Sequence, residues 1–191
     1  ALPYLLKALM DDSDPVVQGS SAGAMAIFGK DAIDYLLKVL SDPNTSAMQS
    51  GLASWALIFA TAESPESLKK AAKSKNIIIR STAIRALGES SELLKDDEIK
   101  QLLINSLEDT SSEVRGEAVR VISNLEDKLL VENLLMKRLG DDNSSVRKSS
   151  ALSLMNINSQ NSITLLKEIA LSEQDERVLS IVNLAIKKLV N

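Results

Sequence analysis

The chain has 191 residues and a formal net charge of −4, and it contains no cysteine and no histidine. This composition excludes disulfides, thiolate or imidazole catalysis and the usual zinc sites, so no metal site is expected. The net acidity argues against general nucleic-acid binding, and no segment resembles a signal peptide or approaches the ~18 apolar residues of a membrane span, so we expect a cytoplasmic protein.

A pair of residues returns along the chain at an almost constant spacing. It is an aliphatic or Met residue followed by Gln or Arg, and its copies are Val17-Gln18, Met48-Gln49, Ile79-Arg80, Val114-Arg115 and Val146-Arg147, with a degenerate copy at Val178-Leu179. The apolar members, called the landmarks below, lie 31, 31, 35, 32 and 32 residues apart. A sustained period of this length is typical of stacked helical repeats.

Each repeat is predicted to contain two helices. In the first repeat they run from Pro3 to Met10 and from about Val16 to Gly29, where the glycine is expected to stop the helix in a left-handed conformation. In the second repeat they cover 35–40 and 47–60. Acidic and hydroxyl residues in the turns are expected to cap the second helix, except in the third repeat, which has Ser74-Lys75-Asn76 there.

The predicted fold is all-α, a right-handed α-α superhelix of about six helical pairs. The repeats are expected at about 1–30, 31–66, 67–95, 96–128, 129–159 and 160–191, as one domain over 1–191 that is truncated at its N-terminus. In the second helix, positions four and eight residues after the landmark share its face and should form the core. The position six residues after the landmark is expected on the exposed face.

The landmark pattern and the Ala86-Leu87-Gly88 helix end resemble HEAT repeats, especially the short class named after phycobilisome lyases. The segments 16–24 and 50–57 look like the smaller subunit of E/F-type phycobilin lyases. Those proteins handle linear tetrapyrroles and assist their attachment to phycobiliprotein cysteines, commonly as heterodimers. The resemblance implies a role of this kind but assigns no catalytic residue.

Two sets of Gln and Arg residues are candidates for binding an anion. The residues after the landmarks either form an anion-binding ladder or pair with turn acids of neighbouring repeats, such as Asp109 and Asp141. Arg85 and Arg120 occupy the equivalent position six residues after the landmark in consecutive repeats, so they are expected ~10 Å apart, one helix-packing distance. They either bind two propionates of a tetrapyrrole or belong to a solvated charged face.

The second helices of the first two repeats carry an unusual number of small residues. Gly19, Gly23, Gly51 and Ser54 are predicted to form a floor that a neighbouring helix, a flat ligand or a partner helix approaches closely. Trp55 replaces small residues of the other repeats, and it either fills a local gap or stands at the edge of this floor as a binding residue.

We therefore predict a phycobilin lyase subunit that binds an open-chain tetrapyrrole as substrate, with no tightly bound cofactor, and assists its thioether attachment to a phycobiliprotein cysteine. The expected partners are the phycobiliprotein subunit and a second lyase subunit. The alternative is a non-enzymatic scaffold that binds a protein, including a phycobilisome-degradation adaptor, so whether the chain is an enzyme stays open. The missing histidines disfavour a HEAT-type metal hydroxylase, and the net acidity disfavours a DNA-repair enzyme.

Overall fold

The computed structural model describes residues 1–60, 64–89 and 91–190, and in these ranges the chain forms twelve α-helices and no strand. The helices are α1 (Leu2–Asp11), α2 (Pro15–Ile27), α3 (Ile33–Ser41), α4 (Ala47–Ala60), α5 (Pro65–Ala71), α6 (Ile77–Leu87), α7 (Asp97–Ser106), α8 (Ser112–Ile122), α9 (Lys128–Arg138), α10 (Ser144–Asn156), α11 (Ile163–Ala170) and α12 (Glu176–Val190). The predicted all-α fold of six helical pairs is confirmed.

The chain divides into two compact units, Ala1–Leu93 and Leu94–Asn191. In the first, each odd-numbered helix packs on the even-numbered helix that follows it, and the even-numbered helices stack in the order α2, α4, α6. The second unit repeats this arrangement with α8, α10 and α12. The division into six repeats within a single domain stays a prediction.

The predicted acidic caps are confirmed at α2 and at α12, where Asp175 accepts from the amide of Arg177, whereas Ser111 before α8 makes no side-chain cap hydrogen bond. Asp14 accepts a hydrogen bond from the amide of Val16 at 2.8 Å, and Asn143 accepts one from Ser145 at 2.9 Å. Asn76 takes this part in the third repeat, where the acid is missing, and accepts from two amides at the start of α6. Gly29 has φ +57°, the left-handed conformation predicted after α2. The helix α4 covers the predicted residues 47–60, whereas α2 begins one residue before the predicted start and ends two residues before the predicted end.

The core is built from small and aliphatic side chains. Most positions four and eight residues after a landmark are fully buried, among them Met25, Ala83, Leu87 and Leu154. In α4 the pattern is displaced by one residue, because Gln49 is buried and the landmark Met48 is 45% exposed. No helix within the described ranges is both long and apolar enough to cross a membrane.

Candidate functional site

The Arg residues after the landmarks hold neighbouring repeats of the second unit together. The Nε and Nη2 atoms of Arg115 donate to the two carboxylate oxygens of Asp141 at 2.8 and 2.7 Å, and Nη2 also contacts Asp142. Arg147 binds Glu173 in the same bidentate way, at 2.8 Å for both bonds. The predicted pairing with acids of the next repeat is confirmed for these two residues, so they are structural.

Gln49, which follows the landmark of the second repeat, binds backbone groups rather than an acid. The amide Nε2 of Gln49 donates to the carbonyl oxygens of Leu9 and Met10 at the end of α1, at 3.2 and 2.7 Å. Its Oε1 accepts from the amide of Ser46, whose hydroxyl accepts from the Gln49 amide, which is a capping box. Because the capping box holds this side chain against the helix start, the burial pattern of α4 is displaced.

The first unit has an exposed face without charge. Neither α2, with 13 residues, nor α4, with 14, contains a charged residue, and the two helices pack side by side. We call their solvent-facing residues the bare face: Gly19, Ser20, Gly23, Ile27, Gly51, Trp55 and Phe59. A contiguous apolar surface of this kind on a soluble protein usually marks an interaction site.

The glycines of the bare face are not required by internal packing. Apart from the nearby backbone of its own helix, a Cβ atom built on Gly19, Gly23 or Gly51 would meet no atom of the described residues within 4 Å. The predicted approach of a neighbouring helix is therefore absent at these three residues. Because a glycine within a helix destabilises it by roughly 0.5–1 kcal/mol relative to alanine, the open space favours close approach by a molecule from outside.

Trp55 lies on the surface rather than in a gap of the core. Its side chain is 47% exposed, and its ring lies against that of Phe59, with 4.9 Å between the centroids and 52° between the planes. Phe59 is 56% exposed. This aromatic pair supports the interpretation of Trp55 as a residue at the edge of the bare face.

Ser54 does not lie on the exposed face. It is buried, and its hydroxyl lies 3.1 Å from that of Thr82 on α6. The expected exposure is wrong because the burial pattern of α4 is displaced by one residue: Ser54 lies five rather than six residues after the buried position, Gln49, and so faces α6. Ser54 therefore belongs to the contact between α4 and α6.

The two predicted arginines differ in their surroundings. Arg120 is exposed and forms an ion pair with Glu117, one turn before it on α8, at 2.6 Å. Arg85 is half-buried, and its Nε atom is buried without a hydrogen-bond partner among the residues that the structure describes. They belong to different compact units, so their predicted spacing stays a prediction. An unpaired buried donor on an arginine calls for an anion, which makes Arg85 the stronger candidate.

A groove between α3 and α5 was not predicted from the sequence. It has a volume of about 440 Å³ and is lined by Ile33, Asp34, Leu37, Ser67, Lys70, Ala71, Lys73, Ser74 and Ile79. We call it the α3–α5 groove. A sequence signal exists, because residues 67–88 carry six basic residues and no acid in a chain of net negative charge. Its apolar floor comes from four separate positions that only folding brings together.

The HEAT-repeat family profile matches residues 65–132 and 101–187. The bilin biosynthesis protein MpeU of Synechococcus sp. strain WH8020 is 40% identical over an alignment of 222 residues that takes in the whole of this chain and 75% of the relative. The chain is a HEAT-repeat protein of the MpeU family. This membership confirms the resemblance to HEAT-repeat proteins of the phycobilisome-lyase type.

Two solved structures of helical repeat proteins align with most of this chain. A designed armadillo repeat protein in complex with the peptide (KR)4 aligns with 98% of the chain and 99% of its own length, at a TM-score of 0.54 and 20% identity. The complex of CpcE and CpcF of phycocyanin lyase from Nostoc sp. PCC7120 aligns with 97% of both chains at 20% identity and a TM-score of 0.49. Overlaps of this size do not distinguish one helical repeat protein from another.

Proposed function

We propose that the chain is a subunit of a phycobilin lyase, which binds an open-chain tetrapyrrole and assists its thioether attachment to a phycobiliprotein cysteine. The observation that carries this proposal is the 40% identity, over the whole chain, to a bilin biosynthesis protein. The bare face and the unpaired Arg85 agree with it, since the reaction joins an apolar chromophore with carboxylates to a protein.

The chemistry is an addition that this chain assists by positioning. The acceptor thiol loses its S–H bond, its sulfur forms a bond to a vinylic or ethylidene carbon of the bilin, and the proton ends on the bilin. No group leaves, and no oxidant or reductant is consumed. Because the chain has neither cysteine nor histidine, the acceptor supplies the nucleophile, and the rate gain comes from holding bilin and thiol in a productive orientation.

The bare face takes part as a contact surface for the bilin ring plane or for a second lyase subunit. The glycines allow a flat molecule or a helix to lie against the backbone, and Trp55 provides a ring for stacking. Arg85 then pairs with a propionate or with a carboxylate of the partner. The reaction belongs in the cytosol, whose reducing conditions keep the acceptor cysteine as a thiol.

A second candidate function is a non-enzymatic scaffold that binds a protein, including a phycobilisome-degradation adaptor. The exposure of large apolar side chains favours the scaffold, since Ile27 on α2 is 89% exposed and Phe59 on the neighbouring α4 is 56% exposed. Aromatic and aliphatic side chains on a bare surface are typical of the core of protein interfaces.

Mixing with a free chromophore separates the two functions. The purified chain, alone and with a co-expressed partner subunit, is mixed with an open-chain tetrapyrrole, and the absorption spectrum is recorded. The lyase function predicts a shifted and sharpened visible band, because a bound bilin is held in one conformation. A spectrum that stays that of the free chromophore in both cases would leave the scaffold.

A further inference from the structure

The α3–α5 groove has the form of a small-molecule site. Its floor consists of Ile33, Leu37, Ala71 and Ile79, and its volume of about 440 Å³ lies within the range of roughly 300–1,000 Å³ that is usual for ligand pockets. Ile33, Ala71 and Ile79 are buried, and Leu37 is half-buried. The floor therefore offers an apolar surface on which a flat molecule can lie.

The rim of the groove carries charges that the described residues leave unpaired. The exposed Lys70, in the last turn of α5, and the exposed Lys73, two residues after the end of this helix, lie on one side. The exposed carboxylate of Asp34, in the first turn of α3, lies on the other. Neither lysine has a carboxylate partner, and Asp34 has no donor, among residues 1–60, 64–89 and 91–190. By contrast, the neighbouring Lys69 is buried and paired with Glu66 at 3.1 Å.

We propose that the α3–α5 groove binds the open-chain tetrapyrrole, with its rings on the apolar floor, its two propionates at Lys70 and Lys73, and its pyrrole N–H groups at Asp34. This site deepens the proposed function and rests on it. Each element of the groove meets a different part of the ligand: apolar rings, two carboxylates and a row of N–H donors. A fatty acid would use the floor and one lysine but would leave Asp34 without a donor.

This placement assigns different roles to the two surfaces of the first unit. The groove lies between the first helices of two repeats, whereas the bare face consists of residues on the second helices α2 and α4. The bilin occupies the groove, and the bare face is left for the protein that brings the thiol or for the second subunit. Arg85 then pairs with a carboxylate of that protein.

A comparison of two probes tests the lysines. Biliverdin carries two propionates, and its dimethyl ester keeps the same rings without the charges. We expect the Lys70→Ala/Lys73→Ala variant to bind biliverdin about fivefold more weakly in an absorbance titration, since exposed ion pairs each contribute a fraction of a kcal/mol. Binding of the ester should not change. Lys75→Ala, an exposed lysine five residues after Lys70 that does not line the groove, is the matched control and should bind both probes normally.

Asp34→Asn tests the third element. It should weaken binding of both probes, because both keep the pyrrole N–H groups, while Asp31→Asn should weaken neither. The substituted residues are all exposed, so circular dichroism is expected to show an unchanged helical fold in every variant. They are Asp31, Asp34, Lys70, Lys73 and Lys75. The groove site is overturned if the double lysine variant binds biliverdin like the wild type, if the wild type binds the ester as tightly as the acid, or if Asp34→Asn binds normally.

Attachment of bilin to an acceptor protein separates this inference from the function on which it rests. If the wild-type chain with its partner supports attachment and the groove variants do so equally well, the groove site is wrong and the lyase function stands. If the wild type supports neither binding nor attachment, both are wrong. Loss of attachment in the groove variants, with attachment retained in Lys75→Ala and Asp31→Asn, supports both.

Discussion

Arg115 on α8 binds Asp141, 26 residues later in the turn before α10, through two hydrogen bonds of 2.8 and 2.7 Å. The same guanidinium donates to the carbonyl oxygen of Asp109 at 2.9 Å, in its own repeat. One side chain thus ties the start of α8 to the following turn, and both side chains of the pair are largely buried. The recurring arginine of the repeat is therefore a stacking element rather than an anion site.

Removal of this arginine should destabilise the second unit strongly. Arg115→Ala leaves the buried Asp141 carboxylate without its main partner, and we expect the free energy of unfolding to fall by about 3–5 kcal/mol. Arg177→Ala is the control, since its side chain is 73% exposed in the ion pair with Asp175 and its removal should cost much less. Urea unfolding followed by circular dichroism measures both, and equal losses would contradict a structural role for Arg115.

The pair of Arg147 and Glu173 should make stability depend on acid pH. The hydrogen bonds from Arg147 lower the pKa of Glu173 from 4.5 to about 2. Because the pKa is lower in the folded state, the pair stabilises the fold above pH 4.5, and this contribution is lost as the pH falls towards 2. We expect this contribution to be about 3 kcal/mol, since one pKa unit corresponds to about 1.4 kcal/mol.

Unfolding of Glu173→Gln at a series of pH values measures this contribution. The variant should be less stable than the wild type at neutral pH and should approach it near pH 2, since protonation removes the charge from both. Asp141, whose pKa is raised by burial but lowered further by bonds from Arg115 and the Asn143 amide, adds to the acid sensitivity of both proteins equally. A difference between variant and wild type that stays constant with pH would be inconsistent with the lowered pKa.

Alanine at the glycines of the bare face should separate stability from function. Gly23→Ala and Gly51→Ala place a methyl group in open space within a helix, so each should raise the free energy of unfolding by about 0.5–1 kcal/mol. If a molecule approaches the backbone there, the same variants should reduce bilin attachment. Gly116→Ala on α8, also with open space around its Cβ, should stabilise without reducing attachment. If bilin attachment is unchanged in the Gly23→Ala and Gly51→Ala variants, these glycines do not belong to the binding site.

Arg85 should be needed for function but not for folding. Because its buried Nε has no partner, Arg85→Ala should change the free energy of unfolding by no more than about 1 kcal/mol. Attachment of bilin should fall severalfold, since a carboxylate of the bilin or of the partner loses its cation. Arg120→Ala should have a smaller effect, as Arg120 is already paired with Glu117. The assignment of Arg85 is wrong if the double variant of both arginines transfers bilin normally.

Much of the fold could be predicted because the same pattern of apolar residues occurs in six copies along the chain. The landmark spacing predicts the helical pairs, and Gly29 and the turn residues predict where helices begin and end. The displaced pattern of α4 could not be predicted, because it depends on Gln49 reaching Ser46 and the carbonyls of α1 together. The spacing of apolar residues within one repeat does not predict a contact between a side chain and the backbone of another repeat.

The candidate site could be predicted only in part. The bare face was found because glycines within helices and a lone tryptophan depart from the repeat. Ser54 was misplaced because Gln49, and not the landmark Met48, is the buried residue at the start of α4. The α3–α5 groove was missed because its floor joins α3 to α5 and α6, which lie one repeat later in the sequence. In addition, single lysines on a surface are usually solvated. A groove formed by helices of two repeats can be recognised only in the folded chain, whereas the repeat period can be recognised in the sequence.

Co-expression of the chain with a second lyase subunit, a phycobiliprotein acceptor and a bilin source tests the central claim most directly. The quantity to measure is covalently bound bilin on the acceptor after denaturation, when only a thioether retains the chromophore. The lyase function predicts a colored acceptor that depends on this chain and is lost when the acceptor cysteine is replaced by serine. An acceptor that carries the same amount of covalent bilin with and without the chain, or none in either case, would contradict it.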